Sequence, residues 1–142
     1  MTEPDPGPGV VAHLNVDGGE KAIAFYARAF GAEELYRHMA EDGLRVMHTT
    51  LAINGGNIML HDHFPEFCGD VKPPTELEGC SVTLHIQFAD AAAADAAFAK
   101  AVEAGCKVEF AIADQFWGDR YGKVRDPFGH IWSIGGPIAR QS

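Results

Sequence analysis

The chain reads as an α+β domain made of two βαβββ units. Three observations predict this. Apolar alternation switches from period two to a helical period and back again in each half of the chain. The strand Val11-Ala12-His13-Leu14-Asn15-Val16 superposes on Thr83-Leu84-His85-Ile86-Gln87-Phe88, so that a histidine recurs at the same place 72 residues on. Every element after that strand recurs in the same order, which marks an internal repeat.

In the first unit, Val10, Ala12, Leu14 and Val16 share one strand face, with Val11, His13 and Asn15 on the other. Asp17 followed by Glu20 gives a capping-box pattern for a helix start. Ile23, Tyr26, Ala27 and Phe30 then form an apolar stripe at helical spacing, and Gly31 is the expected stop. A strand is expected over 34–39, a turn at Glu41-Asp42-Gly43 and a second strand over 44–53. In that strand Met47, Leu51 and Ile53 take the core side and Val46, His48 and Thr50 the other. Asn54-Gly55-Gly56 turns the chain into a short strand over 57–61.

Residues 62–80 are rich in Pro, Glu and Gly without a period, and are predicted to be a linker. The second unit follows. Val82, Leu84, Ile86 and Phe88 face one way; Thr83, His85 and Gln87 face the other. A helix is expected from Asp90 to a stop at Gly105, with Ala94, Phe98, Ala101 and Val102 on its stripe. Strands over 107–112, 120–126 and 130–134 complete the unit. The last two are joined by Asp126-Pro127-Phe128-Gly129, whose Asp, Pro and Gly suit a type I turn. The loop before them carries Phe116 and Trp117, read either as a cap on the core or as a lid over a ligand site. The predicted organisation is a disordered tail at 1–9, one domain over 10–136 with modules 10–61 and 81–136, and a second tail at 137–142.

Composition narrows the function. Eleven Lys and Arg against 20 Asp and Glu give a net charge of −9, with no basic stripe to neutralise phosphates. No apolar run reaches the roughly 20 residues of a membrane span. The acidic, Pro- and Gly-rich start is unlike a signal peptide. Cys68, Cys80 and Cys106 are widely spaced without a CxxC, which favours reduced thiols and a cytoplasmic address. Gly18-Gly19 lacks the rest of a dinucleotide fingerprint. No Ser-His-Asp or Cys-His arrangement is legible.

The two βαβββ units, the helix end Ala-Phe-Gly-Ala-Glu-Glu-Leu-Tyr at 29–36, and the segments DQFWGDRYG and DPFGHIW resemble the vicinal oxygen chelate superfamily. This group holds the glyoxalases, bleomycin-resistance proteins and ring-cleaving dioxygenases, and the closing segments resemble its PhnB-like branch. The resemblance spans about residues 10–136. It implies curved mixed sheets around a cup, and in metal-dependent members ligands from the first and last strand of each unit. Those positions fall here on Val11, Met59, Thr83 and Ser133. None is a normal ligand for a hard or borderline divalent ion.

The cup face instead carries His13, His48, His61 and His85. Together with Phe116, Trp117, Arg120 and Tyr121 these are the expected ligand-binding residues. The function expected is the binding of an aromatic or apolar small molecule without a cofactor, as the resemblance to bleomycin-resistance proteins implies. The alternative is a metal-dependent lyase, isomerase or dioxygenase whose divalent ion is held by His13, His85 and His61. His61-Asp62-His63 is not read as a chelate, because adjacent strand residues point oppositely. Two like units on a long linker suggest a homodimer.

Overall fold

The computed structural model describes residues 5–67 and 69–139. The tail expectations for 1–4 and 140–142, and the thiol of Cys68, lie outside the described residues.

The elements are β1 (His13–Val16), α1 (Gly19–Phe30), β2 (Glu33–Met39), β3 (Val46–Ile53), β4 (Gly56–Asp62), α2 (Pro74–Leu77), β5 (Thr83–Gln87), α3 (Ala91–Ala104), β6 (Lys107–Asp114), β7 (Asp119–Arg125) and β8 (Ile131–Pro137). They form two four-stranded mixed sheets, ordered β1-β4-β3-β2 and β5-β8-β7-β6. In each, the first strand runs parallel to the last and the other pairings are antiparallel. The fold is therefore the α+β class with two repeated βαβββ units, with the sheets separate rather than one continuous surface. One helical turn, α2, stands inside the segment in which no period was legible, started by proline.

Each helix packs on one face of its own sheet. From α1, Ala22, Ile23, Phe25, Tyr26 and Ala29 are buried, while Ala27 is exposed, so the buried stripe is rotated from the one expected. Gly31 ends α1 in the left-handed region at φ 66°, as a glycine C-cap does. From α3, Ala94, Phe98 and Ala101 are buried, and Asp90 caps the start by accepting from the Ala93 N–H at 2.8 Å.

Two expectations in the first module fail for identifiable reasons. The start of α1 has no side-chain cap from its own neighbourhood. The Asp62 carboxylate, at the end of β4, accepts instead from the N–H groups of Gly18 at 3.0 Å and Gly19 at 2.8 Å. Its other oxygen accepts from the Val46 N–H at 2.7 Å. Asp62 is thus a structural residue of the first module rather than the first residue of a linker. The second failure is the polarity of β3. Opposite β2 the register jumps from His38↔His48 to Met39↔Val46, so a bulge leaves Met47 as the extra residue. Past the bulge the faces exchange. Val46 is fully buried, and Met47, expected on the core side, is 38% exposed.

The modules dock through aromatics. Tyr26 and Phe30 of α1 meet Trp132 of β8 at ring-centroid distances of 5.4 and 4.6 Å, and Phe25 and Tyr26 meet Phe128. The Asp126–Gly129 turn forms as expected, with the Gly129 N–H donating to the Asp126 carbonyl at 3.1 Å. Its aspartate is buried. That carboxylate accepts from Tyr26 Oη at 2.5 Å, Trp132 Nε1 at 2.8 Å, and the N–H groups of Phe128 and His130. The turn thereby ties the second module to the helix of the first.

Candidate functional site

The site is built on the sheet faces turned away from α1 and α3. Strand alternation puts side chains there by parity. On the first sheet, β4 lies between β1 and β3, with Asn15 opposite His61 and Thr49 opposite Leu60. That register brings histidines from three adjacent strands together. The His13 ring stands edge-on to His61 at 4.8 Å and to His48 at 5.5 Å. His61 Nδ1–H donates to the Asp62 carbonyl at 2.6 Å, which fixes its tautomer. His48 Nε2 lies 3.4 Å from Thr50 Oγ1, and its ring is tilted against Tyr36.

On the second sheet, β5 pairs with β8 so that His85 lies beside Ser133. His85 Nδ1 is 2.7 Å from Ser133 Oγ, and its Nε2 is 2.7 Å from Gln87 Oε1. With the glutamine oxygen as acceptor, Nε2 carries the proton and Nδ1 accepts from the serine hydroxyl. This serine–histidine pair was not legible in sequence, because its members are 48 residues apart. Ser133 is 2% exposed, so its hydroxyl holds the ring in place rather than meeting a substrate. Gln87 shares the strand face of His85, and parity alone could have found it.

The His85 ring stacks on Tyr121 at 5.9 Å and 18°. Trp117 stands edge-on to Tyr121 at 5.7 Å, and Phe116 edge-on to Trp117 at 5.1 Å. The four rings form one row that runs from the sheet onto the β6–β7 loop. Phe116 is 98% exposed and Trp117 is 51% exposed, which rules out the core-cap reading of that loop. Gly135 lies beneath the row. A Cβ there would come 3.2 Å from His85 Cε1 and 3.4 Å from Tyr121 Cδ2, so the stack needs the missing side chain.

Arg120 does not belong to this face. It lies on the α3 side of β7, where Nε donates to Asp95 at 2.5 Å and an Nη to Asp114 at 3.1 Å. These carboxylates push its pKa upward. Its charge is spent on tying α3 and β6 to β7, and Arg120 is corrected from a ligand contact to a structural ion pair. Arg125 likewise pairs with Glu109.

The residues at the positions where the superfamily resemblance implies a metal do not fit one. Met59 sits opposite His13 with a thioether, and Ser133 spends its hydroxyl on His85. The displaced trio is divided between sheets, with His13 and His61 on one beside His48, and His85 on the other. Among the described residues no group of three or more His, Cys, Asp or Glu is arranged to hold a metal ion. Also among the described residues, no helix is long and apolar enough to cross a membrane.

Two mixed βαβββ sheets with a polar and aromatic open face define the class, and the comparisons agree. The model of the Glyoxalase/Bleomycin resistance protein/Dioxygenase superfamily matches residues 9–134, and the chain belongs to that superfamily. It is 47% identical over 132 residues to protein Mb0911c of Mycobacterium bovis, covering 92% of this chain and 84% of that one. TioX from Micromonospora sp. ML1 superposes with a TM-score of 0.69 at 22% identity, over 95% of this chain and 100% of that one. The PhnB protein from Bacillus cereus does so with a TM-score of 0.68 at 17% identity, over 93% and 100%. At these identities the two solved structures share the fold.

Proposed function

We propose that the chain binds a flat, largely apolar small molecule on its open face and does so without a metal. The observation that carries this reading is the exposed row Phe116, Trp117, Tyr121 and His85, whose last ring is pinned by Ser133 and Gln87. Binding sites combine aromatic walls with a few fixed polar groups, and this row supplies both. His13, His48 and His61 add a second polar cluster on the sheet of the first module. A cytoplasmic address is part of the same proposal, supported by the free thiols of Cys80 and Cys106.

Stacking on one ring is worth about 0.5–1.5 kcal/mol beyond its buried area. Titrating a panel of aromatic compounds against intrinsic fluorescence should therefore find ligands that bind Trp117→Ala more than about tenfold more weakly than the wild type. Equal affinity for both proteins would remove the aromatic row from the site.

A metal-dependent enzyme is the second reading, and the contact of His13 with both His48 and His61 is what favours it. It requires those rings to turn toward a common ion. Elemental analysis of protein purified without chelator separates the two. Less than a stoichiometric amount of zinc, nickel, manganese or iron is expected. About one ion per chain, lost on His13→Ala, would promote the enzyme.

A further inference from the structure

Lys123 stands on the open face of the second sheet, next to the aromatic row. Its neighbours in β7 fix that orientation. Gly122 faces α3, since a Cβ there would lie 2.8 Å from Phe98 Cε2, and Val124 is fully buried. Alternation turns Lys123 the other way, to the side of Tyr121. Across the sheet it lies beside Ser133 of β8 and Phe110 of β6. Ser133 is the residue that holds His85, and the Phe110 ring stands edge-on to Tyr121 at 6.5 Å. Lys123 is thus set among the residues that build the row.

Two properties separate Lys123 from the other cations. Lys21, Lys72, Lys100 and Lys107 are exposed, whereas Lys123 is half-buried. Arg37, Arg45, Arg120 and Arg125 each hold a carboxylate, but among the described residues none lies within ion-pair reach of Lys123. Carboxylates are not scarce in a chain with 20 Asp and Glu. Glu109, next to Phe110 in β6, is taken by Arg125. Asp119 shares the parity of Lys123 but stands about 13 Å away along the strand. A partly desolvated ammonium without a counter-ion carries a cost that a bound anion relieves. His85 cannot supply the polar anchor, because Ser133 and Gln87 occupy both of its ring nitrogens.

We infer that the molecule bound on the row is an aromatic carboxylate, with its ring against Tyr121 and Trp117 and its carboxylate paired with the Lys123 ammonium. The inference rests on the aromatic row as the binding site, and adds the charge of the ligand and its direction. Asp119, at the other end of β7, repels the anionic end and so favours the orientation toward Lys123.

Three probes on one ring system test it by equilibrium dialysis: 2-naphthoate, the neutral 2-naphthamide and the cationic 2-naphthylmethylamine. The wild type should bind the naphthoate at least about tenfold more tightly than the naphthamide, and the amine most weakly. Raising the salt concentration should narrow that preference. Lys123→Met, which keeps the apolar stem, should make naphthoate and naphthamide equivalent, and Lys123→Glu should favour the amine. Trp117→Ala should weaken all three probes alike. Equal binding of naphthoate and naphthamide by the wild type, weakened for both in Trp117→Ala, would remove the anion and leave the row standing. A naphthoate preference that survives both Lys123 variants would assign the charge to another residue and overturn the inference. Binding of none of the probes would overturn both the row and the anion. Should neither Lys123 variant fold by circular dichroism, a wild-type preference unmoved by salt decides against it.

Discussion

Asp126 shows how much one buried carboxylate can organise. It accepts from a phenol, an indole and two backbone N–H groups, and it raises the cost of ionising its neighbours. Burial first, and then the Asp126 charge, push the Cys106 thiol from its ordinary 9.0 to about 12. The same causes in the same order hold the Tyr26 phenol well above 10.0. Both groups keep their protons in the folded state at pH values where the unfolded chain has lost them. Their contribution to stability is therefore complete below pH 9.0 and is lost as the pH rises toward the folded values. Urea unfolding across this range should show stability falling by up to about 1.4 kcal/mol per pH unit for each group that ionises on unfolding. Cys106→Ala should flatten the first part of that fall and leave the part above 10.0. A flat wild-type profile from neutral pH to well past 10.0 would contradict it.

Among the elements, α1 depends on a residue that is 43 positions away from its first turn. Asp62 supplies the acceptor that Asp17 was expected to supply, and it also holds the Val46 N–H at the bulge. Gly19 is where the two meet. A Cβ there would lie 2.5 Å from Asp62 Oδ2 and 3.0 Å from Val46. Removing the Asp62 carboxylate leaves three N–H groups without an acceptor. Asp62→Ala should cost about 2–4 kcal/mol in urea unfolding. Asp17→Ala should stay within about 0.5 kcal/mol, as for most surface substitutions. The reverse ranking would restore the local capping box. In α3 the cap is local, at Asp90, so the two repeats solve the same end problem differently.

At the scale of the molecule, the repeat also organises the docking of the modules. The Asn54 Nδ2 donates to the Gln87 carbonyl at 2.6 Å, and His130 Nε2 lies 3.0 Å from the Asn15 carbonyl. Asn15 and Gln87 are themselves 72 residues apart, so a β-turn region of each module grips the same point on the first strand of the other. This docking buries the helix-side faces and leaves the other faces exposed, including Phe110 on β6, which is 49% exposed and stands edge-on to Tyr121. We expect a second copy to cover part of that apolar surface, making a homodimer. Light scattering should give the mass of two chains at micromolar concentration. A single-chain mass throughout that range would exclude it.

Alternation and turn chemistry are local properties, and what depends on them was legible in the chain itself. The two βαβββ units, the Gly31 stop, the Asp126–Gly129 turn, and the shared parity of His13, His48, His61 and His85 all follow from residue spacing. What the tertiary structure alone decided is which distant partner each polar group meets. Asp62 reaches across to α1, Ser133 and Gln87 pin His85, Tyr26 meets Asp126 from 100 residues away, and Arg120 turns to Asp95. The bulge at Met47 exchanged the faces of β3 and hid the role of Val46 from a strict alternation. The physical reason is common to these cases. A buried donor or acceptor must be satisfied by whatever strand register and module docking bring within about 3 Å, and sequence spacing carries no record of that neighbour.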